Sequence, residues 1–418
     1  MNLRLPVTLV VFLFSLMFAI QIVVLANGDI VNNYPYISPD GFDWYMQGVY
    51  LDKVLSGATL PELPVLRPPL FVLITAADYI AGGRGLIFSL AIGLAIFFTY
   101  YFTLKIVDSA YGEESRKSWY ILPLAISATV YPINFFKPYL LADSLAVTLS
   151  LASVLLLVKY HKEEKLHFLA ISIAAAVLAG LTQTYGLIPF AVSCMVGFLF
   201  NIHSNKLKSR NFITSAFIAS VLFISFTLLW RWIMPHETTP KNFELLKVST
   251  AMFGFYARTW GYYFIPLMIF FIIFRRLKTA WHTSSFIISS STIVVIFFAL
   301  LCLFYQWPEA RFTYFFWPWL MILMFSSIRL DSVKGAYLIP ILMLLLVALV
   351  PNNYWSPSWQ SMRVSVLDNW VGEYFMSSPI DRKLNACVGE CMKKNEFLIK
   401  SDPYVNATIT IYNQINGL

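Results

Sequence analysis

Charge is what this chain most conspicuously has little of. Asp, Glu, Lys and Arg make up 12% of its 418 residues, against 58% hydrophobic and 17% aromatic, at a mean hydropathy of +0.68. That balance excludes an ordinary water-soluble globule. There is no P-loop and no sustained basic tract, which removes nucleic acid as a partner. Cysteines number only four, and no second pair stands beside Cys387 and Cys391 to build a zinc ribbon. Histidine is nearly as sparse: His161, His167, His203, His236 and His282 are all there are. A carboxylate-held divalent ion is compatible with the sequence, but nothing in it indicates a metal.

What is present is a series of long apolar runs, at about 5–26, 86–107, 119–134, 140–160, 167–183, 185–201, 212–234, 252–274, 281–305, 312–328 and 336–350. Each exceeds a barrel strand, and backbone polar groups in hydrocarbon must be satisfied within the segment, so the runs predict helices. The expected fold is an all-α polytopic membrane protein of about 11 transmembrane helices. Residues 1–350 form the membrane domain, with a first external loop at 27–84 carrying interfacial helices, and 351–418 form a short external C-terminal tail that caps the outer face. The run 70–81 holds Asp78 and, at ~1.5 Å per residue, is too short to span, so it reads as a helix lying at the interface.

Basic residues test that topology. With Arg4 inside, the short predicted cytoplasmic connections collect 15 of the 30 basic residues but only 6 of the 22 acids, as the positive-inside rule requires. The net charge of +8 is thereby explained by topology and not by a ligand. The outer face receives the 27–84 loop, a corner near 137–143, the 235–249 loop, a corner at 306–311 and the tail. Of the histidines only His236 falls there, which rules out a histidine triad or multi-histidine metal site on that face.

Two carboxylates, Asp40 and Asp43, stand just beyond the first span in Pro39-Asp40-Gly41-Phe42-Asp43-Trp44-Tyr45. At the mouth of a helix bundle, partial desolvation makes such a carboxylate a usable proton acceptor for a hydroxyl group. Ser-Pro-Asp-Gly is equally good chemistry for a solvated turn. Arg67-Pro68-Pro69-Leu70 follows, then Asp143 at the head of the 140–160 span, where a helix N-cap is the structural alternative. Arg258 falls just inside a span, where an unpaired charge is costly. Arg311, with Glu309 beside it, opens a late span in Trp307-Pro308-Glu309-Ala310-Arg311-Phe312-Thr313-Tyr314. A guanidinium there suits a phosphate or serves as an interfacial anchor. Cys194 and Cys302 lie within spans as packing residues, and Cys387 with Cys391 is spaced for a small-loop disulfide.

Taken together these motifs resemble the GT-C superfamily of membrane glycosyltransferases, in particular the protein O-mannosyltransferases and the bacterial transferases that add aminoarabinose to lipid A. The family motif is roughly Pro-Asp-Glu followed by an aromatic residue; Gly41 replaces the second acid here, and Asp43 follows two positions on. The resemblance implies Asp40 or Asp43 as catalytic base. It implies Tyr45, Arg67, Asp143, Glu309 and Arg311 as substrate-binding residues, to which the cost of an unpaired charge within a span adds Arg258 as a second phosphate contact or the partner of an outer-loop acid. It implies an inverting transfer of sugar from a polyprenyl-phosphate or polyprenyl-diphosphate donor to a glycan, lipid or protein acceptor. The setting would be the outer side of a bacterial inner (plasma) membrane. The alternatives are a surface-polysaccharide polymerase or ligase resting on outer-loop arginines, and a transporter or flippase of lipid-linked sugars. The latter would show inverted repeats and charges near mid-membrane.

Overall fold

A computed structural model describes residues 39–58, 60, 62–63, 66–82, 86–110, 142–234, 236, 282–304, 313–326, 351–352 and 364–365. These are helical apart from turns, short links and one pair of two-residue strands. The helices are α1 (Pro39–Leu55), α2 (Pro69–Ile80), α3 (Leu86–Ala110), α4 (Asp143–Glu163), α5 (Leu166–Thr182), α6 (Ile188–Asn201), α7 (Lys206–Ile233), α8 (His282–Phe304) and α9 (Thr313–Ser326), with a 3-10 turn at Thr184–Leu187 between α5 and α6. The strands β1 (Pro351–Asn352) and β2 (Val364–Ser365) pair antiparallel. The expected spans 5–26, 119–134, 252–274 and 336–350 lie outside the described residues.

Among the described residues, four helical segments are long and apolar enough to cross a membrane: Leu90–Ala110, Asp143–Glu163, Thr184–Asn201 and Lys206–Ile233. Pro69–Ile80 is too short, as its sequence predicts. Two of the boundaries have clear local causes. Pro68 precedes and Pro69 opens α2, where a missing N–H costs nothing. Asn205 caps α7 by accepting from the Lys208 N–H at 3.0 Å. That cap starts α7 six residues earlier than its apolar run, so Lys206, Lys208 and Arg210 belong to its first turns and not to a loop.

The bundle is built around α4. Its spanning window is 72% buried, against 17% for α7. Small hydroxylated residues let the neighbours of α4 approach closely, as in packed membrane helices. The Thr99 and Thr148 hydroxyls lie 2.7 Å apart between α3 and α4, and Ser172 of α5 donates to the Ser153 carbonyl at 2.6 Å. Phe217, Leu228 and Trp232 of α7 point outward, 68%, 60% and 84% exposed, which suits a helix facing hydrocarbon.

Alternating helix directions gather like ends together. At one pole Lys162 donates to the Ser109 carbonyl at 2.7 Å, and Lys208 reaches the His161 carbonyl at 2.6 Å and Glu164 at 2.9 Å. These basic residues are ones that the charge pattern assigns to a single side. At the other pole Leu63 forms a parallel bridge with His236, and Trp230 donates to the Arg67 carbonyl at 2.8 Å.

The structure corrects one reading of the first loop. Residues 39–55 form a helix and not a solvated turn, and Trp44, Tyr45, Tyr50 and Leu51 within it are buried. α1 and α2 cross so tightly at Gly48 that an added Cβ would sit 2.5 Å from the Thr75 hydroxyl and 2.6 Å from the Ala76 nitrogen. One apolar cluster then joins Trp44 and Tyr45 of α1, Phe71 of α2, Ile92 of α3, Ala142 at the head of α4, and Trp230 at the end of α7.

Candidate functional site

The head of α4 carries the most chemically specific arrangement. Asp143 is 4% exposed, and its Oδ1 accepts from the Tyr185 hydroxyl at 2.5 Å and from the Gln183 amide at 3.3 Å. No side chain caps α4, and Ala142 occupies the cap position, so the N-cap role that the sequence allows for Asp143 is not the one it plays. Gln183 is extended and ends α5, and the 3-10 turn then points Tyr185 back toward α4. Two close contacts fix this link. Ser150 of α4 donates to the Gly186 carbonyl at 2.6 Å, and a Cβ on Gly186 would meet the Ala179 carbonyl oxygen at 2.5 Å.

Against the Tyr185 ring lies a narrow crevice that encloses only about 10 Å³, room for a single water. Tyr185, Phe298, Phe315 and Trp319 wall it, over a floor of Ala146, Val147 and Ser150. The rings interleave: Tyr185 is 4.1 Å from Phe315 and 6.1 Å edge-on from Phe298. The start of α9 therefore lies against the Asp143 corner.

A second polar knot joins the first three helices. Asp78 is 2% exposed; its Oδ2 accepts from the Tyr45 hydroxyl at 3.1 Å and its Oδ1 from the Ile87 N–H at 2.8 Å, in the first turn of α3. Arg67 is half-buried, with its guanidinium 5.5 Å over the Trp44 ring and its backbone N–H donating to Gln47 Oε1 at 2.9 Å. Tyr50 lies nearby, and burial, followed by the Glu62 carboxylate, raises the pKa of its phenol. It stays neutral.

Asp40 and Asp43 belong to the start of α1; their side chains lie outside the described part of the structure, as do Arg258, Glu309 and Arg311. The first span, which precedes α1, and the cysteine pair Cys387 and Cys391 also lie outside it. Cys194 is buried with a free thiol. Arg231 is exposed in the last turn of α7. Among the described residues no three His, Cys, Asp or Glu side chains converge as a metal site.

Sequence reasoning missed Gln183 and Tyr185. The available signal was the polar run Thr182-Gln183-Thr184-Tyr185 set between two apolar segments. It also passed over Asp78 as a partner for Tyr45, although an ionisable residue in an apolar run signals a partner by default.

No protein-family model matches the chain, and neither does any curated protein or solved structure.

Proposed function

We propose that this protein is a multi-pass membrane glycosyltransferase of GT-C-like architecture, with about eleven spans. It transfers a sugar from a polyprenyl-phosphate or polyprenyl-diphosphate to an acceptor at the outer face of a bacterial plasma membrane. Asp40 or Asp43 takes the proton from the acceptor hydroxyl as that oxygen attacks the anomeric carbon. The departing phosphate keeps the bonding electron pair and is neutralised by arginine from Arg67, Arg258 and Arg311. Attack from the face opposite the phosphate inverts the anomeric centre.

The observation that supports this reading most is the company kept by Asp143. A buried carboxylate, oriented by a phenol and an amide beside an aromatic crevice, stands next to Ala142, which shares one apolar cluster with Trp44 and Tyr45. Trp44 directly follows Asp43, so the head of α1 and the head of α4 belong to the same pole. An acid, a second acid and ring surfaces drawn from distant parts of the chain suit a sugar donor whose phosphate sits at headgroup level.

The test is transfer from polyprenyl-phosphate sugars by purified protein in lipid nanodiscs. Asp40→Asn and Asp43→Asn are compared singly with the unaltered chain. Loss of the base should slow transfer by about 10²–10⁴-fold in one of the two variants. Full transfer by both would sink the proposal for this helix.

A further inference from the structure

Charge pairing at the basic pole is uneven. Glu163 and Glu164, where α4 ends, are taken by Lys165 at 2.8 Å and Lys208 at 2.9 Å. Lys208 also donates to the His161 carbonyl, so it turns toward the bundle. Lys206 and Arg210, two positions to either side of it, are exposed, and their side chains make no hydrogen bond or ion pair among the described residues. Residues four apart on a helix share a face. These two cations therefore stand together on the side of α7 that turns away from the bundle.

That side continues as apolar surface. Three, seven and eleven positions beyond Arg210 come Ile213, Phe217 and Val221, which are 45%, 68% and 44% exposed and lie on the same stripe. Half of a ~30 Å hydrocarbon core is about ten residues of helix at ~1.5 Å each, so the stretch matches one leaflet. A cationic head on an apolar track has the pattern of a single anionic lipid. Zwitterionic lipid would bring a cation of its own against Lys206 and Arg210. A second copy of this chain, related by a two-fold axis along the membrane normal, would set like charges together.

We infer that the first half of α7 is a docking surface for an anionic phospholipid of the leaflet at the basic pole. Arg210, whose planar fork matches a phosphodiester, holds the headgroup together with Lys206, and an acyl chain lies along Ile213, Phe217 and Val221. The surface is at the opposite pole from Asp143 and is independent of the transferase reading.

The full chain, purified in detergent, is titrated with dioleoyl phosphatidylglycerol, dioleoyl phosphatidylcholine and inorganic phosphate, and bound ligand is counted by native mass spectrometry. The first phosphatidylglycerol should bind about tenfold more tightly than phosphatidylcholine. Lys206→Gln combined with Arg210→Gln should bring the two lipids within about twofold of each other and leave phosphatidylcholine unchanged. Both side chains are exposed, so this variant should fold as the unaltered chain does. Lys208→Gln removes a charge from the paired side instead, and should keep the preference within about twofold. Phosphatidylglycerol carrying a diazirine in its acyl chain should cross-link to residues 213–221. Equal affinity for the two lipids overturns the assignment, as does a preference that the double variant keeps or that Lys208→Gln abolishes equally. Cross-links confined to other helices, inorganic phosphate bound as tightly as phosphatidylglycerol, or a dimer that carries no lipid would overturn it as well.

Discussion

Asp78 and Asp143 are two carboxylates at the same pole of one bundle, 2% and 4% exposed, yet their surroundings divide structure from chemistry. Asp78 spends its two oxygens on different helices, Oδ2 on Tyr45 of α1 and Oδ1 on the Ile87 N–H that opens α3. It is a clasp between helices that already pack face to face, joining residues 33 apart in the chain. Asp143 takes Tyr185 and Gln183 on one oxygen, and the Tyr185 ring goes on to wall the aromatic crevice. A buried acid distributed among three elements resists removal because each partner loses a bond that ties its helix to the next. An acid whose phenol and amide partners share a single oxygen can lose its charge and keep both of them. The contrast predicts which positions tolerate substitution.

The largest effect is expected at the clasp. Asp78→Ala leaves the Tyr45 hydroxyl and the Ile87 N–H buried without this acceptor, at ~1–3 kcal/mol each, and opens a void beside α2. The expected sum is about 3–5 kcal/mol, read as loss of monodisperse protein after extraction or a fall of several degrees in the thermal unfolding midpoint. Asp78→Asn keeps an acceptor for the Ile87 N–H and should recover about half of that. An Asp78→Ala protein as stable as the unaltered chain would remove the clasp from the comparison.

Next in size is the crossing that brings Tyr45 to Asp78. At Gly48 an added Cβ meets the Thr75 hydroxyl at 2.5 Å, the Ala76 nitrogen at 2.6 Å and the Thr75 carbonyl carbon at 2.8 Å, and two of these three neighbours are backbone that cannot rotate away. Gly48→Ala should push α1 off α2 and destabilise by about 1–3 kcal/mol. Because the shift lengthens the Tyr45–Asp78 bond, the double variant Gly48→Ala with Asp78→Asn should cost less than the two single costs combined. Strict additivity in denaturant or thermal unfolding would mean that the crossing and the clasp are independent.

These contacts also explain what could be read from the chain unaided. The helices α3 to α9 were legible because each is an apolar run bounded by charge, proline or a capping residue. The common pole of Lys162 and Lys208 was legible from the distribution of charge. α1 was not: Gly41, Gly48 and its acids lower its helical and apolar signal, and its burial comes from α2 and from Trp230, which lies 163 residues beyond Arg67. Tyr185 and Gln183 were hidden for a related reason. Their role depends on a four-residue 3-10 turn that aims them at a helix about forty residues earlier, and a hydropathy pattern records only the gap between two spans.

The smallest effect on stability, and the one that separates the two acids most sharply, belongs to Asp143→Asn. The amide retains the Oδ1 acceptor that Tyr185 and Gln183 use, so the link between α5 and α6 keeps its place and unfolding should shift by less than about 1 kcal/mol. What disappears is the negative charge beside the crevice, and charge-assisted hydrogen bonds to a sugar are about twice as strong as neutral ones. Binding of a sugar-bearing polyprenyl phosphate should therefore fall by about tenfold in a protein whose melting curve hardly moves. If Asp143→Asn instead melts as early as Asp78→Ala, the carboxylate at the head of α4 is a clasp of the same kind, and the distinction between the two corners is lost.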